Sequence, residues 1–374
     1  MMKRYGLILI ALFILPAVIL IPQRGKALYF FAAKEGTRCG TCHLNPTGGM
    51  LRTQVGLDYA QNDHSFQENG EESQSKLNFS LGENLQMGSD MRFLYTYKDT
   101  VEFPGYRSRS SFFTMQGSLY LAANLGKNLS LFYNNDFGYP STAVNSELWG
   151  MLRNLPYDGY FKVGRFRVPY GIRLDDHTSF IKDSLGFGTH SEDNGIEIGF
   201  TPATLFAYVS VTNGEDHYTP FDRNTYKAVS ASGGIITRYF SLGGSYYFNR
   251  IAPAYQDKWR AAAFGSFSYS KFILLGELDY GWNERVDVSA PPSREILAGY
   301  VEGMYQAYRN LWFRAKLDYL DPQRGVKYND IQRVTIGGDA YLYKLLDFGL
   351  QYRINLEQAK EKNNELLSQV HIFF

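Results

Sequence analysis

The chemistry of this chain concentrates in residues 38–49, RCGTCHLNPTGG, which hold both of its cysteines, Cys39 and Cys42, and His43 directly after them. C-x-x-C-H is the attachment pattern of c-type haem. Two thiols at this spacing add to the two vinyl groups of one porphyrin, and the adjacent imidazole turns onto the iron as an axial ligand. The pattern implies one covalent haem c, held by Cys39 and Cys42, with His43 on the iron. Three other uses of the cysteines compete. A redox dithiol wants a βαβ setting and has no need of the histidine. A zinc site wants about four ligands, and no second C-x-x-C exists. A structural disulfide would suit an exported protein. For the sixth ligand, Met50 lies seven residues past His43 and His64 twenty-one past it. An open or water-bound site is the third arrangement. A thioether would give a higher potential than a second imidazole.

These residues need elements that hold and shield them. Residues 28–75 offer one apolar cluster, ALYFFAA, which is too little to bury a haem in a core of its own. The rest of the chain must supply the shielding. The front reads as an export signal. Lys3 and Arg4 are followed by the apolar run GLILIALFILPAVILI and then by Gly25-Lys26-Ala27, a cleavage site. The run contains Pro16 and is shorter than the ~20 residues of a helical span. The expected division is a signal peptide over 1–27, a monohaem cytochrome c-like segment over 28–75 and a membrane domain over 76–374. Export places Cys39 and Cys42 in an oxidising compartment.

The membrane domain is read from period-two alternation. In LWFRAKLDYL, Phe313, Ala315, Leu317 and Tyr319 share one face, and Arg314, Lys316 and Asp318 the other. FILLGELDYGW and DFGLQYRINL repeat the pattern. A charged second face is the mark of a strand between lipid and a polar lumen. Aromatics reach 16% of residues, which suits interfacial girdles, and the mean hydropathy of -0.30 excludes a bundle of many membrane helices. The net charge of +1 gives no reason to expect nucleic acid as a partner.

About sixteen strands are expected, at 85–98, 111–124, 127–136, 145–155, 158–168, 193–201, 203–213, 226–237, 239–250, 257–268, 271–283, 296–308, 310–320, 331–343, 346–356 and 364–374. Their connections alternate between tight turns and long polar loops, as in outer-membrane barrels. The chain ends on Phe374, an aromatic terminus on an alternating strand. The expected fold is an all-β transmembrane barrel of about 16 antiparallel strands, with the small c-type haem segment plugging its lumen. The expected location is the bacterial outer membrane, with the haem segment on the periplasmic side or inside the barrel. In KVGRFRVPYG, Arg165 and Arg167 are expected in the lumen, with Phe166 and Val168 outward and Lys162 toward lipid. The stretch 168–193 carries Asp175, Asp176, His177, His190, Glu192 and Asp193. This set suits transient divalent iron, although a solvated outer loop is the favoured reading.

FFAAKEGTRCGTCHLNP, a Phe-Ala element followed by C-x-x-C-H and Pro46, resembles the fused cytochrome–porin proteins of the outer-membrane iron-oxidising (Cyc-two) type. Beyond this stretch the likeness is one of architecture. That family tends to show a Phe-Pro pair after the haem motif, and here Asn45 precedes Pro46. The resemblance implies electron transfer across the outer membrane through one haem c. Its partners would be a periplasmic redox carrier such as a soluble cytochrome, an extracellular metal or small redox donor or acceptor, and outer-membrane lipid. Fe(II) oxidation is one activity this implies, and no catalytic triad or phosphate loop stands elsewhere. The alternative is a diffusion porin in which the haem segment is a structural or gating plug.

Overall fold

The computed structural model describes residues 29–62, 79–82, 84–99, 108–138, 144–174, 176–188, 190–214, 221–222, 224–251, 256–282, 295–357 and 363–374. The expected export signal, His64 and Asp175 lie outside them. A two-residue strand β1, Ser80–Leu81, precedes sixteen long ones. These are β2 Leu85–Lys98, β3 Arg109–Leu125, β4 Leu129–Asp136, β5 Val144–Leu155, β6 Gly159–Arg167, β7 Glu192–Phe200, β8 Leu205–Thr212 and β9 Ala228–Ile236. The second half comprises β10 Phe240–Ile251, β11 Gln256–Tyr269, β12 Phe272–Trp282, β13 Ile296–Tyr308, β14 Leu311–Asp321, β15 Ile331–Tyr343, β16 Leu346–Glu357 and β17 Glu365–Phe373. Each of the sixteen pairs antiparallel with the next, and β17 returns to pair with β2, from Glu365↔Lys98 to Phe373↔Asp90. The sheet is a closed sixteen-strand barrel without a free edge, which lipid requires because it offers no partner to backbone groups. Every expected strand is present, with ends displaced by two residues at most.

Alternation decides what each wall faces. On β14, Phe313 and Leu317 are about half exposed on the outside, while Trp312, Lys316 and Asp318 are buried inside. Glu277 and Asp279 of β12 and Asp347 and Arg353 of β16 likewise face inward. The outer surface carries an apolar band that includes Leu131, Val163, Ile198, Val301 and Ile336. Exposed tyrosines ring the tight-turn end, among them Tyr157, Tyr269, Tyr308 and Tyr343. Phe112 and Tyr97 stand toward the other rim, as does the Trp259–Trp282 stack. An apolar belt between aromatic girdles is the exterior of an outer-membrane barrel.

The N-terminal segment fills the tight-turn mouth. Helix α1, Tyr29–Glu35, buries Phe31 against Trp312 and Tyr341 of the wall, with ring centroids 5.9 Å apart in both pairs. Gly36, at φ +64, ends the helix beside the β9–β10 turn, where a Cβ would lie 2.5 Å from Arg238 Cα. Helix α2, Gln54–Gln61, packs Leu57 and Ala60 against Leu345 and Phe373. Tyr59 donates to Glu35 (3.3 Å), joining the two helices. Polar ties then run round the mouth. Arg38 pairs with Asp158 in the β5–β6 turn (3.3 Å) and donates to the Thr201 carbonyl. Arg238 donates to the Lys34 carbonyl, and Arg309 to that of Asn62 (3.4 Å).

Two expectations are corrected. The third long loop, residues 168–191, does not spread into solvent; it folds into the lumen. Its Tyr170, Ile172, Ile181, Leu185 and Phe187 are buried inside the barrel. These apolar residues follow no strand period, yet their burial favours the inward path over water. On β6 the expected facing fails in part: Val163 points outward and Lys162 and Phe166 are wholly buried, while Arg167 lines the lumen as expected. Lys162 pairs with Glu197 across the β6–β7 register (2.7 Å) and lies over the Phe166 ring (4.7 Å). A lysine toward lipid would be unpaired, whereas inward it has a carboxylate opposite.

Candidate functional site

A short turn, Cys39–Thr41, presents the motif. The amides of Cys42 and His43 both donate to the Cys39 carbonyl, at 3.1 and 3.0 Å. One turn of helix-like backbone therefore carries Cys39, Cys42 and His43 close together around the same axis. The chain folds back after His43: Leu44 N donates to Leu51 O (3.0 Å), and His43 bridges to Arg52. Thr53 locks this return in place. Its hydroxyl donates to Thr41 O (2.8 Å) and accepts from Gly56 N (3.3 Å) as the N-cap of α2. Its amide donates to Cys42 O (2.8 Å). Gly56 allows this approach, because a Cβ there would lie 2.3 Å from Cys42 O.

His43 is buried, and its Nδ1 lies 3.3 Å from the Met50 carbonyl oxygen. A carbonyl only accepts, so the proton of the neutral ring sits on Nδ1 and the lone pair on Nε2. That tautomer, fixed by a backbone acceptor, is the form in which a histidine ligates iron. Neither Cys39 nor Cys42 is in a disulfide. Cys42 is buried, and Cys39 is less enclosed. Burial pushes the Cys39 thiol up to about 11, against the opposing pull of the Arg173 guanidinium. Two thiols outside any disulfide and an imidazole of this tautomer are the donor set that haem c takes. Among the described residues no three His, Cys, Asp or Glu side chains gather as a metal site.

Above the turn, a chamber of about 980 Å³ lies between the N-terminal segment and the third loop. Cys39 and Thr47 line it from below, Phe206, Tyr208 and Phe264 from the wall, and Tyr170, Ile172, His177, Lys182 and Phe187 from the loop. Tyr170 and Phe187 stack at 4.1 Å. Its lining is mostly apolar with a few polar groups, as in small-molecule sites. Two ties hold the segment beneath it: Lys162 donates to Asn45 Oδ1 (3.2 Å) and Tyr208 to Pro46 O (3.4 Å). A second cavity, about 870 Å³ and more polar, opens at the mouth between His43, Thr53, Met151, Tyr160, Arg38 and Asp158.

The third loop is pinned by wall cations. Asp176 pairs with Lys316 (2.6 Å) and Arg353 (3.3 Å). Thr178 accepts from Arg353 at its hydroxyl (2.8 Å) and from Arg333 at its carbonyl (2.7 Å). Lys182 pairs with Glu277 (2.9 Å), and Arg260 donates to the Leu185 carbonyl. Burial alone would raise the Asp176 carboxyl. Lys316, Arg353 and Arg333 outweigh it and hold the group well below the usual carboxylate range.

Of the sequence candidates, the turn brings Cys39, Cys42 and His43 together. Met50 contributes its carbonyl to His43, and the residue lines a separate cavity with Asp90 and Arg92. Asp176 and His177 face the lumen, while Glu192 and Asp193 belong to β7, with Glu192 paired to Arg167 (3.3 Å). The described members of that set do not converge on one position. Arg173 and Lys182 escaped the sequence reading, and Lys162 was placed toward lipid. Lys162 was open to discovery from Glu197, its inward partner on the next strand.

No protein-family model and no curated protein matches this chain. Solved structures do. The outer-membrane channel DcaP of Acinetobacter baumannii superposes with a TM-score of 0.61 at 14% identity, covering 80% of this chain and 100% of its own. The anion-selective porin of Comamonas acidovorans gives 0.59 at 12%, covering 78% and 99%. OmpF of Salmonella typhi gives 0.59 at 11%, covering 78% and 98%. The covered share is close to the part of the chain that runs from Leu85 to Phe374. Identities this low carry the fold alone: the chain is a sixteen-strand barrel with the architecture of outer-membrane porins.

Proposed function

We propose that the protein carries electrons across the outer membrane through one haem c, attached to Cys39 and Cys42 with His43 on the iron. One observation carries this reading: the C-x-x-C-H turn, with both cysteines outside any disulfide and His43 Nδ1 held by a carbonyl, is docked inside the barrel mouth rather than tethered below it. When bound, the haem would supply reversible one-electron exchange. The chain's own residues do the rest. Thr53 and Met50 fix the ligand turn. Phe31, Leu57 and Arg38 hold the segment in the mouth. Tyr170, Phe206, Phe264 and the pinned loop restrict water above it.

A periplasmic carrier would meet the plug from the tight-turn side. An extracellular metal such as Fe(II), or a small redox partner, would approach from the loop side. One electron leaves the donor and one reaches the acceptor per event, and the same path serves either direction. A bilayer core of roughly 30 Å is too thick for a haem below the membrane to exchange with an outside donor, so docking in the lumen is what makes the fusion useful.

The likeness to channels and porins favours a second reading, a diffusion porin in which the N-terminal segment is a structural or gating plug. The cofactor test separates the first step. Denatured, purified protein should retain about one haem per chain through acidified organic extraction, because one C-x-x-C-H is present. Haem that extracts freely, or a chain isolated from a haem-maturing host without haem, would leave the porin reading standing alone.

A further inference from the structure

We infer that the tight-turn rim of the barrel, with the plug at its centre, is a docking surface for a soluble protein with an acidic face. The inference deepens the electron-transfer reading above and rests on it for the partner's role, that of the periplasmic carrier. Seven tight turns join the strands from β3 to β16, and five of them carry a cation: Lys127, Arg238, Lys271, Arg309 and Lys344. Arg153 stands near the end of β5, beside a sixth turn, and the plug adds Lys34 and Arg38. Among the described residues of this end, the acids set against these eight cations are Glu35, Asp58 and Asp158, whereas the whole chain balances 38 Lys and Arg against 37 Asp and Glu. Two of the three acids are paired within the mouth, Asp158 with Arg38 (3.3 Å) and Glu35 with Lys34 (3.8 Å).

Carbonyls hold several of these cations, which fixes a side chain without cancelling its charge. Arg153 donates to Lys127 O (3.2 Å), Lys271 to Ala307 O (3.4 Å) and Arg238 to the Lys34 carbonyl. Their direction separates a soluble partner from lipid. At two turns an exposed tyrosine, Tyr239 or Tyr308, adjoins an arginine that reaches inward to the plug: Arg238 to the Lys34 carbonyl, and Arg309 to that of Asn62 (3.4 Å). The tyrosines meet the membrane interface, and the arginines stand over the mouth. A ring of one sign steers a partner of the opposite sign and sets its orientation. The polar mouth cavity that His43 lines is also lined by Arg38 and Arg153, so a partner seated on the rim stands beside the motif turn.

The test measures binding to purified full-length protein in nanodiscs of zwitterionic lipid. The probes are a basic soluble cytochrome c and the same protein made acidic by succinylation of its lysines. The acidic form should bind and the basic form should not, and affinity should fall as salt is raised. Lys127→Gln, Arg153→Gln, Lys271→Gln and Lys344→Gln combined should weaken binding about tenfold or more. Lys227→Gln with Lys258→Gln, at the long-loop end, should leave it unchanged. Equal binding of both forms, or binding unmoved by salt and by the fourfold variant, would overturn the inference. So would binding abolished by anionic lipid in the nanodisc, which would assign the rim to headgroups. Binding seen only after Asp63, Glu68, Glu71 and Glu72 are replaced would overturn it too, by assigning the rim to the chain's own acidic stretch. No binding of the acidic form by a chain that carries its haem would sink the inference and leave the electron-transfer reading intact. Charge-dependent binding by a chain without covalent haem would keep the surface and remove that reading.

Discussion

At the residue scale, the motif turn is nearly self-explanatory, since its backbone bonds, its capping Thr53 and the His43–Met50 contact lie within residues 39–56. Cys39→Ala or Cys42→Ala should reduce covalent haem to traces in a denaturing gel stained for haem, and His43→Ala should retain haem with altered ligation. The thiols add a constraint on order. Cys42 is 3% exposed, so covalent attachment at both thiols would have to precede docking of the segment. Haem offered to a barrel already folded without it should form no thioether bonds, as mass spectrometry of the denatured chain would record. In that haem-free barrel the Cys39 thiol is held up to about 11, chiefly by burial. Its protonated form therefore stabilises the docked segment fully below the ordinary thiol range of about 8.5. That contribution is lost as pH rises through about 11. Alkylation of Cys39 should follow the same window, and a midpoint near 8.5 would mean an open turn.

At the scale of elements, the strands were legible and the third loop was not. Period-two alternation with charges on one face located β12, β14 and β16, because each strand stands between lipid and a polar lumen. The loop's Tyr170, Ile172, Ile181, Leu185 and Phe187 follow no period, and their destination depends on wall partners distant in sequence, Lys316, Arg333 and Arg353. Lys162 was misplaced because β6 alone does not reveal its phase; the opposing Glu197 does. The motif was legible by type, whereas its docking by Arg38, Phe31 and Arg309 was not, since those contacts span most of the chain. Asp176→Asn should weaken the anchoring of the loop by about 1–3 kcal/mol, between the ranges for exposed and buried ion pairs because the carboxylate is partly buried. Single-channel recordings should then show larger or noisier conductance. Because the Asp176 carboxyl is held low, its anchoring is fully present above about pH 4 and fades only as pH falls toward its folded value. Gly56→Ala would force a Cβ onto Cys42 O, and Phe31→Ala would empty a buried site worth about 3–5 kcal/mol. Both should leave the barrel intact and make residues 29–62 sensitive to protease from the tight-turn side.

At the scale of the whole molecule, the barrel and its plug make one device only if the lumen serves the plug. The segment has two short helices and a return loop, and its apolar residues Phe31, Leu57 and Ala60 are buried on barrel partners. Its stability is therefore borrowed from the wall. The decisive measurement places the full-length protein in liposomes with its long loops outward and an oxidised c-type carrier trapped inside. A bulky, membrane-impermeant Fe(II) chelate is added outside, and the trapped carrier is followed by absorbance. A conduit should reduce the carrier at a rate that vanishes when Cys39 and Cys42 are both replaced by alanine, with the chelate itself staying outside. Equal reduction in both proteins accompanied by entry of the chelate, or no reduction by a wild type that carries its haem, would contradict electron transfer through the plug and leave a diffusion channel.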